Sequence, residues 1–301
     1  MSKEIIISVI VPVYNDPKGI QTTLESLVEQ SYDDYEIIPV DNNSSDHTLE
    51  EIHRFENRYP DLIHSYEETD VQSSYAARNK GIRNASGEFM AFIDANMWVD
   101  TDWITKILNL MEEQKLHYAG CRVKSVPNSN NDTIWGRYDQ LSSFPVKEYI
   151  EKDRFAPTCS LIIREEVIND VGVFDQRLES NGDKEFGKRV FDAGFEQGFI
   201  GDATTYHPVR NSFDELYSKA QRIGRGQSQV WFYHSDDIDC THPFHPTRFL
   251  PPNPVLFREY YRKTSGIWSM TIFFYLITYF LKMTETLSCL NSLSKMTLRT
   301  Q

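Results

Sequence analysis

The chain has 301 residues, a length that allows one large domain or a core domain with an extension. Hydrophobic residues make up 40% of it, which is typical of a globular protein with a buried core and excludes an intrinsically disordered chain. The net charge of −13, from 44 acidic and 31 basic side chains, disfavours a protein that binds nucleic acid through a broad basic surface.

The first third of the chain alternates predicted strands and helices. Residues 5–13 are mainly Ile and Val, as in a strand that is buried on both faces of a parallel sheet. The following elements continue the alternation: a helix from Pro17 to Val28, a strand at 35–40, a helix that includes Leu49 to Phe55, a helix at 72–85, a strand at 88–93 and a helix at 102–114. This order predicts an α/β fold in which right-handed crossovers connect parallel strands.

The patterns are weaker in the middle of the chain. We predict irregular and strand-like structure over 117–165, with a surface loop at 127–132 that is rich in Asn, Ser and Asp. Four elements are predicted after it: short helices at 166–174 and 182–193, a strand at 203–207 and a longer helix at 213–234.

Residues 264–281 contain no charged side chain and are mainly apolar. Their number lies at the lower end of the roughly 17 to 25 residues that form a membrane-spanning helix. Arg258, Arg262 and Lys263 precede the segment and Lys282 follows it, so that it could also lie at a lipid headgroup layer. Three alternatives are open at this point: a helix packed on the core or in a dimer, a helix at the membrane surface, and a membrane span.

Polar residues follow the predicted parallel strands, at the edge of the sheet where ligands bind in open α/β folds. Asn15 follows the first strand, Asp41 the second, and Asp94 and Asn96 the third. The Asp41 carboxylate could accept a hydrogen bond from a nucleotide base. Asp94 and Asn96 could direct oxygen ligands at a divalent cation that holds a diphosphate. Taken one at a time, these residues also fit helix caps and turns.

Four blocks of sequence resemble family-2 glycosyltransferases of the GT-A fold. They are Ser8–Asn15, Val40–Thr48, Ala76–Ile82 and Ala85–Asn96, in that order and spacing, and a weaker similarity extends to about residue 226. The resemblance implies a Rossmann-like, mostly parallel central sheet flanked by helices, with a C-terminal helical extension. It implies a catalytic domain over 1–235, with a nucleotide-binding half at 1–115 and an acceptor-binding half at 116–235, followed by an extension at 236–301.

The resemblance also implies roles for single residues. The nucleotide-binding set is Pro12, Tyr14, Asn15, Asp41, Arg78 and Asp94. The metal-binding set, for Mn²⁺ or Mg²⁺, is Asp94, Asn96 and His207, in which Asn96 departs from the family pattern because it replaces a second carboxylate. Asp183 matches the catalytic general base, and Gly182 replaces the acidic residue that usually precedes it.

The implied function is inverting, metal-dependent transfer of one sugar from a UDP- or GDP-sugar to a glycan or lipid-linked acceptor. Such an enzyme would act in cell-surface polysaccharide, glycolipid or glycoprotein glycan assembly. Residues 221–225 lack the Q-x-x-R-W pattern of processive synthases, so we expect a non-processive enzyme. The alternatives are a catalytically impaired sugar-nucleotide-binding subunit and a scaffold or membrane tether. A nucleotidylyltransferase is disfavoured because residues 11–18 do not form a Gly-rich triphosphate loop.

The cysteines and the N-terminus bear on location. The four cysteines lie dozens of residues apart, which favours free thiols in a reducing cytosol. The first residues lack the features of a signal peptide, so we expect a cytoplasmic protein, with peripheral contact through 264–281 at the inner face of the plasma membrane as an option. Cys240, His242 and His245 could bind metal, but their spacing is not that of a zinc site.

Overall fold

The structure is a computed structural model that describes residues 6–127, 133–141, 144–236 and 241–299. Most of the predicted loop at 127–132 and Cys240 of the candidate metal group lie outside the described residues. Three of the cysteines, Cys121, Cys159 and Cys289, are buried free thiols, in agreement with the expectation from their spacing.

Eight strands form one sheet in the order β3-β2-β1-β4-β7-β6-β8-β5. The strands are β1 (Ile7–Val13), β2 (Tyr35–Asp41), β3 (Tyr66–Glu67), β4 (Phe89–Phe92), β5 (Trp98–Val99), β6 (Tyr118–Val126), β7 (Leu161–Arg164) and β8 (Gln197–Pro208). β1 pairs with β2 and β4 in parallel, and β2 with β3. β7 is antiparallel to β4 and β6, and β5 is antiparallel to β8.

Eleven helices are found among the described residues. They are α1 (Pro17–Leu27), α2 (Thr48–Arg58), α3 (Ser74–Asn84), α4 (Trp103–Glu113), α5 (Ile134–Leu141), α6 (Val146–Asp153), α7 (Glu165–Val171), α8 (Gly182–Asp192), α9 (Phe213–His234), α10 (Pro254–Lys263) and α11 (Trp268–Arg299). The helices α5 and α6 correct the prediction of irregular and strand-like structure over 117–165. In α6 the signal was present, since Val146 and Ile150 are buried at helical spacing and Lys152 pairs with Glu148 one turn away.

The chain forms two compact units. The first contains the described residues of Met1–Lys124, Phe144–Arg177 and Gly182–Pro208, and the second those of Ser125–Ser143, Leu178–Asn181 and Val209–Gln301. The predicted boundary at residue 235 divides the chain differently, because α9 belongs to the same unit as α10 and α11.

In the first unit, every residue of β1 and β2 is buried, as the Ile- and Val-rich sequence requires of central strands. Their register aligns Val13 with Asp41, and β1 aligns Ile10 with Phe92 of β4. The residues that follow these strands therefore meet at one edge of the sheet. The antiparallel pairing of Phe92 with Leu161 brings the short 3₁₀ helix Thr158–Ser160 to the same edge.

In the second unit, α11 packs along α9 around an apolar cluster that includes Leu216, Phe274 and Ile277. Gly224 permits the close approach, since a Cβ there would lie 2.1 Å from the carbonyl oxygen of Glu285. One side of the predicted apolar segment at 264–281 is thus buried within this unit. No helix in the described part of the chain combines the length and the apolar character that crossing a membrane requires.

Candidate active site

Asp41 ends β2 with one carboxylate oxygen that has no hydrogen-bond partner among the described residues. Its Oδ2 accepts a hydrogen bond from the Ser44 N–H at 2.9 Å. Its Oδ1 is buried and has no hydrogen-bond partner among the described residues. Because an unsatisfied buried acceptor costs free energy, such an atom needs an explanation, and a donor group on a bound ligand supplies one.

The loop after β1 is tied to the loop after β2. The Asn15 N–H donates to Ser44 Oγ at 2.9 Å, and the Ser45 N–H donates to Asn15 Oδ1 at 2.8 Å. Asn15 has a φ of 49°, a backbone conformation that Asn tolerates better than most residues. The neighbouring Tyr14 is 52% exposed, whereas Pro12 is buried in β1, where it pairs with Val40. Of the three predicted nucleotide-binding residues in this region, Pro12 thus lies within β1, whereas Tyr14 and Asn15 follow the strand at the open edge of the sheet.

Asp94 and Arg78 form an ion pair beyond the end of β4. Arg78 Nη2 lies 2.5 Å from Asp94 Oδ1, and the guanidinium is buried while the carboxylate is 43% exposed. Arg78 Nε is buried too, and nothing in the described ranges bonds to it. The pair therefore holds a partly exposed carboxylate beside a cation with a spare donor, which suits the binding of a phosphate and of a metal ion that accompanies it.

The other predicted metal ligands, Asn96 and His207, lie close to the pairing of β5 with β8. Asn96 has a φ of 70°, and its N–H donates to Gly19 O at 3.0 Å. The register of β5 and β8 pairs Trp98 with Tyr206, so that His207 lies one residue further towards Asn96. His207 Nδ1 is 2.6 Å from Pro208 O; if Nδ1 donates to this carbonyl, the ring lone pair is on Nε2.

This donor set fits a hard divalent cation only in part. Oxygens from Asp94 and Asn96 are suitable ligands for Mn²⁺ or Mg²⁺, and an imidazole suits Mn²⁺ better than Mg²⁺. Across residues 6–127, 133–141, 144–236 and 241–299, no group of three His, Cys, Asp or Glu side chains is placed to hold a metal ion. A cation here would therefore depend on the phosphates of a ligand for its remaining ligands.

Asp183 lies in the first turn of α8. Burial raises the pKa of its carboxyl above the usual range, and the positive charges of Lys184 and Arg78 act against that increase. Arg78 also acts on Cys159, in the 3₁₀ helix: burial raises the pKa of the Cys159 thiol, the negative charges of Asp94 and Asp183 raise it further, and the positive charge of Arg78 lowers it. Asp94, Arg78 and Asp183, which are far apart in sequence, thus act on one buried group.

Two residues of this region escaped the sequence analysis. Cys159 lies within the weaker family similarity but no role was predicted for it, and its position before β7 places it at the edge of the sheet. Tyr75 precedes the block Ala76–Ile82, and its hydroxyl accepts a hydrogen bond from the Gly182 N–H at 2.9 Å. The sequence shows a tyrosine at helical spacing from Arg78, but it gives no sign that the partner of this tyrosine lies 107 positions away.

The comparison with known sequences decides the family. The sequence model of Glycosyl transferase family 2 matches residues 8–172. The chain belongs to this family. Glycosyltransferase AglE of Haloferax volcanii is 38% identical over 228 residues, which cover 75% of this chain and 74% of AglE. The amylovoran biosynthesis glycosyltransferase AmsB of Erwinia amylovora is 30% identical over 222 residues, or 69% of this chain and 71% of AmsB. The predicted family is confirmed, and the protein is a glycosyltransferase.

Solved structures confirm the predicted GT-A fold. The mannosyltransferase PcManGT from Pyrobaculum calidifontis, in complex with GDP-Man and Mn²⁺, superposes with a TM-score of 0.66 at 18% identity, over 95% of this chain and 86% of that one. TarS from S. aureus, in complex with UDP-GlcNAc, gives a TM-score of 0.55 at 18% identity, over 98% and 92%. At such identities the likeness concerns the fold alone.

Proposed function

We propose that this glycosyltransferase transfers one sugar from a UDP- or GDP-sugar to an acceptor hydroxyl, with inversion at the anomeric carbon. The observation that carries the proposal is geometric: Arg78 pairs with Asp94 and lies over the ring of Tyr75, whose hydroxyl accepts the N–H of Gly182, the residue before Asp183. It supports a cleft in which one side binds the diphosphate of the donor and the other side accepts a proton from the acceptor. PcManGT, in complex with GDP-Man, and TarS, in complex with UDP-GlcNAc, have a similar fold.

The donor nucleotide would lie on the loops after β1 and β2. Asp41 Oδ1 would accept a hydrogen bond from an N–H of the base, which removes the cost of leaving this atom without a partner. Asn15 and Tyr14 would border the nucleoside, and Pro12 would contribute by fixing the backbone of β1 rather than through its buried ring.

The diphosphate would lie against Arg78, whose charge offsets the negative charge that develops on the leaving group. Asp94, Asn96 and His207 would hold a Mn²⁺ or Mg²⁺ ion that comes with the donor. When bound, such an ion neutralises charge on the diphosphate. Because Arg78 already pairs with Asp94, the carboxylate is oriented before any ligand arrives.

Asp183 would act as the general base. Its deprotonated carboxylate accepts the proton of the acceptor hydroxyl as that oxygen forms a bond to the anomeric carbon. The bond between the anomeric carbon and the phosphate oxygen breaks on the opposite face, and the nucleoside diphosphate leaves with its electron pair. Burial, which raises the pKa of Asp183, makes it a stronger base than an exposed aspartate.

Transfer assays with UDP-, GDP- and dTDP-sugars, with and without Mn²⁺, test this proposal. Asp183→Asn keeps the shape of the side chain and removes the base, so we expect turnover to be lost while donor binding is retained. Asp192→Asn is the matched control, because Asp192 is an exposed residue of the same helix that pairs with Lys188. If Asp183→Asn turns over like the wild type, the assignment of Asp183 as general base is refuted. Donor binding without turnover by the wild-type protein would favour an impaired binding subunit.

The acceptor proposal is a lipid-linked or membrane-proximal glycan, in cell-surface polysaccharide, glycolipid or glycoprotein assembly. It is supported by charge and exposed apolar surface in the second unit. Residues 241–301 contain seven Lys and Arg but two Glu and no Asp, in a chain of net charge −13. On α11, Trp268, Ile272, Leu276 and Phe280 recur every four residues and are 46–60% exposed. A basic segment with an exposed apolar row fits the cytoplasmic surface of an anionic membrane.

Sedimentation with lipid vesicles tests the membrane contact. We expect the wild-type protein to bind vesicles of anionic phospholipid more strongly than zwitterionic ones, and the double substitution Ile272→Glu, Leu276→Glu to abolish binding. Ser269→Glu, at an exposed position beside the row, is the control for added charge. Equal sedimentation of the double variant and the wild type would contradict the proposal, as would a dimer in solution that the same double substitution dissociates.

A further inference from the structure

Tyr75 connects the two sides of the candidate site. It lies in the first turn of α3, is 5% exposed, and packs against Phe174 at 5.7 Å between ring centroids. Its hydroxyl accepts the N–H of Gly182, the first residue of α8. Its ring centroid is 5.5 Å from the guanidinium carbon of Arg78. One helix thus contacts the start of α8 through Tyr75 and Asp94 through Arg78.

The contact with Gly182 leaves no room for a side chain. A Cβ at Gly182 would lie 2.7 Å from the Tyr75 ring, so something would have to shift if any other residue occupied this position. The departure from the family pattern at Gly182 therefore has a physical reason in this chain. The volume of the usual acidic side chain is occupied by an aromatic ring from α3.

The spacing along α3 sets the distance between the two contacts. Tyr75 and Arg78 are three residues apart, which is about 4.5 Å along a helix axis at 1.5 Å per residue, on one face. Because most of α3 is buried, we expect a change at its Tyr75 end to alter where α8 begins relative to the Arg78–Asp94 pair.

We propose that Tyr75 is a positioning residue for catalysis, whose hydroxyl holds the backbone at Gly182 and Asp183 so that the carboxylate of Asp183 faces the acceptor. This inference rests on the proposed role of Asp183 as general base. Tyr75 itself does not exchange a proton, since burial and the negative charge of Asp183 raise the pKa of its hydroxyl far above the working range. It acts as a neutral hydrogen-bond acceptor and as a wall beside Gly182.

Tyr75→Phe keeps the ring and removes the acceptor. We expect kcat to fall about 10- to 100-fold, the range that misplacement of a reacting group produces, with KM and Kd for the donor unchanged. Tyr35→Phe is the matched control, because the buried Tyr35 hydroxyl is likewise bonded to a backbone group, although as the donor, to Leu27 O at 2.8 Å, and it lies far from Asp183. Tyr35→Phe should match the wild type in kcat. An equal fall in both variants would overturn the proposal, because general loss of stability would then explain it.

A double-mutant cycle tests the packing of the Tyr75 ring against Gly182. Gly182→Ala should lower kcat on its own, whereas in a Tyr75→Ala background the same change should cost nothing further, because the ring that it meets is gone. Additive effects would overturn the inference. If Tyr75→Phe does not fold, Gly182→Ala decides alone: a lower kcat at unchanged donor Kd supports the positioning role, and wild-type kcat refutes it.

The outcomes separate this inference from the proposed function. If the Asp183→Asn variant is active, Asp183 is not the general base, and the proposed function is refuted. If Asp183→Asn is inactive while Tyr75→Phe folds and is fully active, the assignment of Asp183 as general base stands. Only the proposed role of Tyr75 is then refuted.

Discussion

Asp41 allows a prediction in which stability and ligand affinity change in opposite directions. No described residue pairs with its buried Oδ1, whereas Oδ2 accepts the Ser44 N–H. A buried polar group without a partner costs about 1–3 kcal/mol, and more if it is charged. Asp41→Asn keeps the shape and removes the charge. We therefore expect the free energy of unfolding of the ligand-free protein to stay the same or to rise by about 1 kcal/mol.

Donor affinity should change in the other direction. A hydrogen bond to a charged group contributes about 1.5–3 kcal/mol, and each 1.4 kcal/mol is tenfold in Kd. If Asp41 Oδ1 accepts a base N–H, Asp41→Asn should weaken binding of the nucleoside diphosphate about 10- to 100-fold, because an amide nitrogen cannot accept that bond. Calorimetric titration with UDP and GDP measures the affinity, and urea unfolding measures the stability.

The control is Asp46→Asn in the same loop. Asp46 Oδ1 accepts hydrogen bonds from the N–H and the hydroxyl of Thr48, so its loss should reduce stability slightly and leave nucleotide affinity unchanged. If Asp41→Asn instead lowers the stability and binds nucleotide like the wild type, Asp41 is a structural residue of the loop. The assignment of the base site would then be wrong.

Two further predictions concern pH and packing. Lys184→Gln removes the positive charge that acts most strongly against the raised pKa of Asp183. The acid limb of the pH profile of kcat/KM, where activity falls as Asp183 becomes protonated, should therefore move to higher pH. If this limb does not move, it belongs to another group. Gly224→Ala should reduce the free energy of unfolding by about 1–3 kcal/mol, because the added Cβ would collide with the backbone of Glu285 where α9 meets α11. Urea unfolding measures this change, and the substitution Ser218→Ala at an exposed position of α9 is the control.

Elements with strong local signals were predicted closely. The predicted helix at 213–234 coincides with α9, because Ser212 and Glu215 form a capping box that fixes its first residue. The predicted strand at 5–13 corresponds to β1, and its β-branched run has no competing periodicity. The residues after the parallel strands lie together for the same reason, since the strand ends follow directly from the strand assignments.

Features that depend on distant partners were not predictable from the sequence. β8 extends over Gln197–Pro208, beyond the predicted 203–207. The antiparallel return of β7 beside β4, which brings Cys159 to the site, depends on pairing between segments about 70 residues apart. The contact of Tyr75 with Gly182 joins residues 107 positions apart, so that only the fold explains why a glycine precedes Asp183.

Asn96 leads to a final prediction about charge. In the ligand-free site the negative charge of Asp94 is balanced by the positive charge of Arg78, so that this pair carries no net charge. A second carboxylate at position 96 would add a negative charge, which would repel a diphosphate in the absence of metal. Asn96→Asp should therefore bind Mn²⁺ more tightly, and Asp is among the few residues that tolerate the φ of 70° at this position.

The same substitution should make donor binding depend more strongly on Mn²⁺. We expect chelation of the metal to weaken nucleoside diphosphate binding by a larger factor in Asn96→Asp than in the wild type, as measured by calorimetric titration with and without EDTA. Asn43→Asp is the matched control, since Asn43 has a similar φ of 61° in the loop after β2. An equal effect of chelation on Asn96→Asp and the wild type would mean that residue 96 does not face the metal, and that Asp94 alone anchors it.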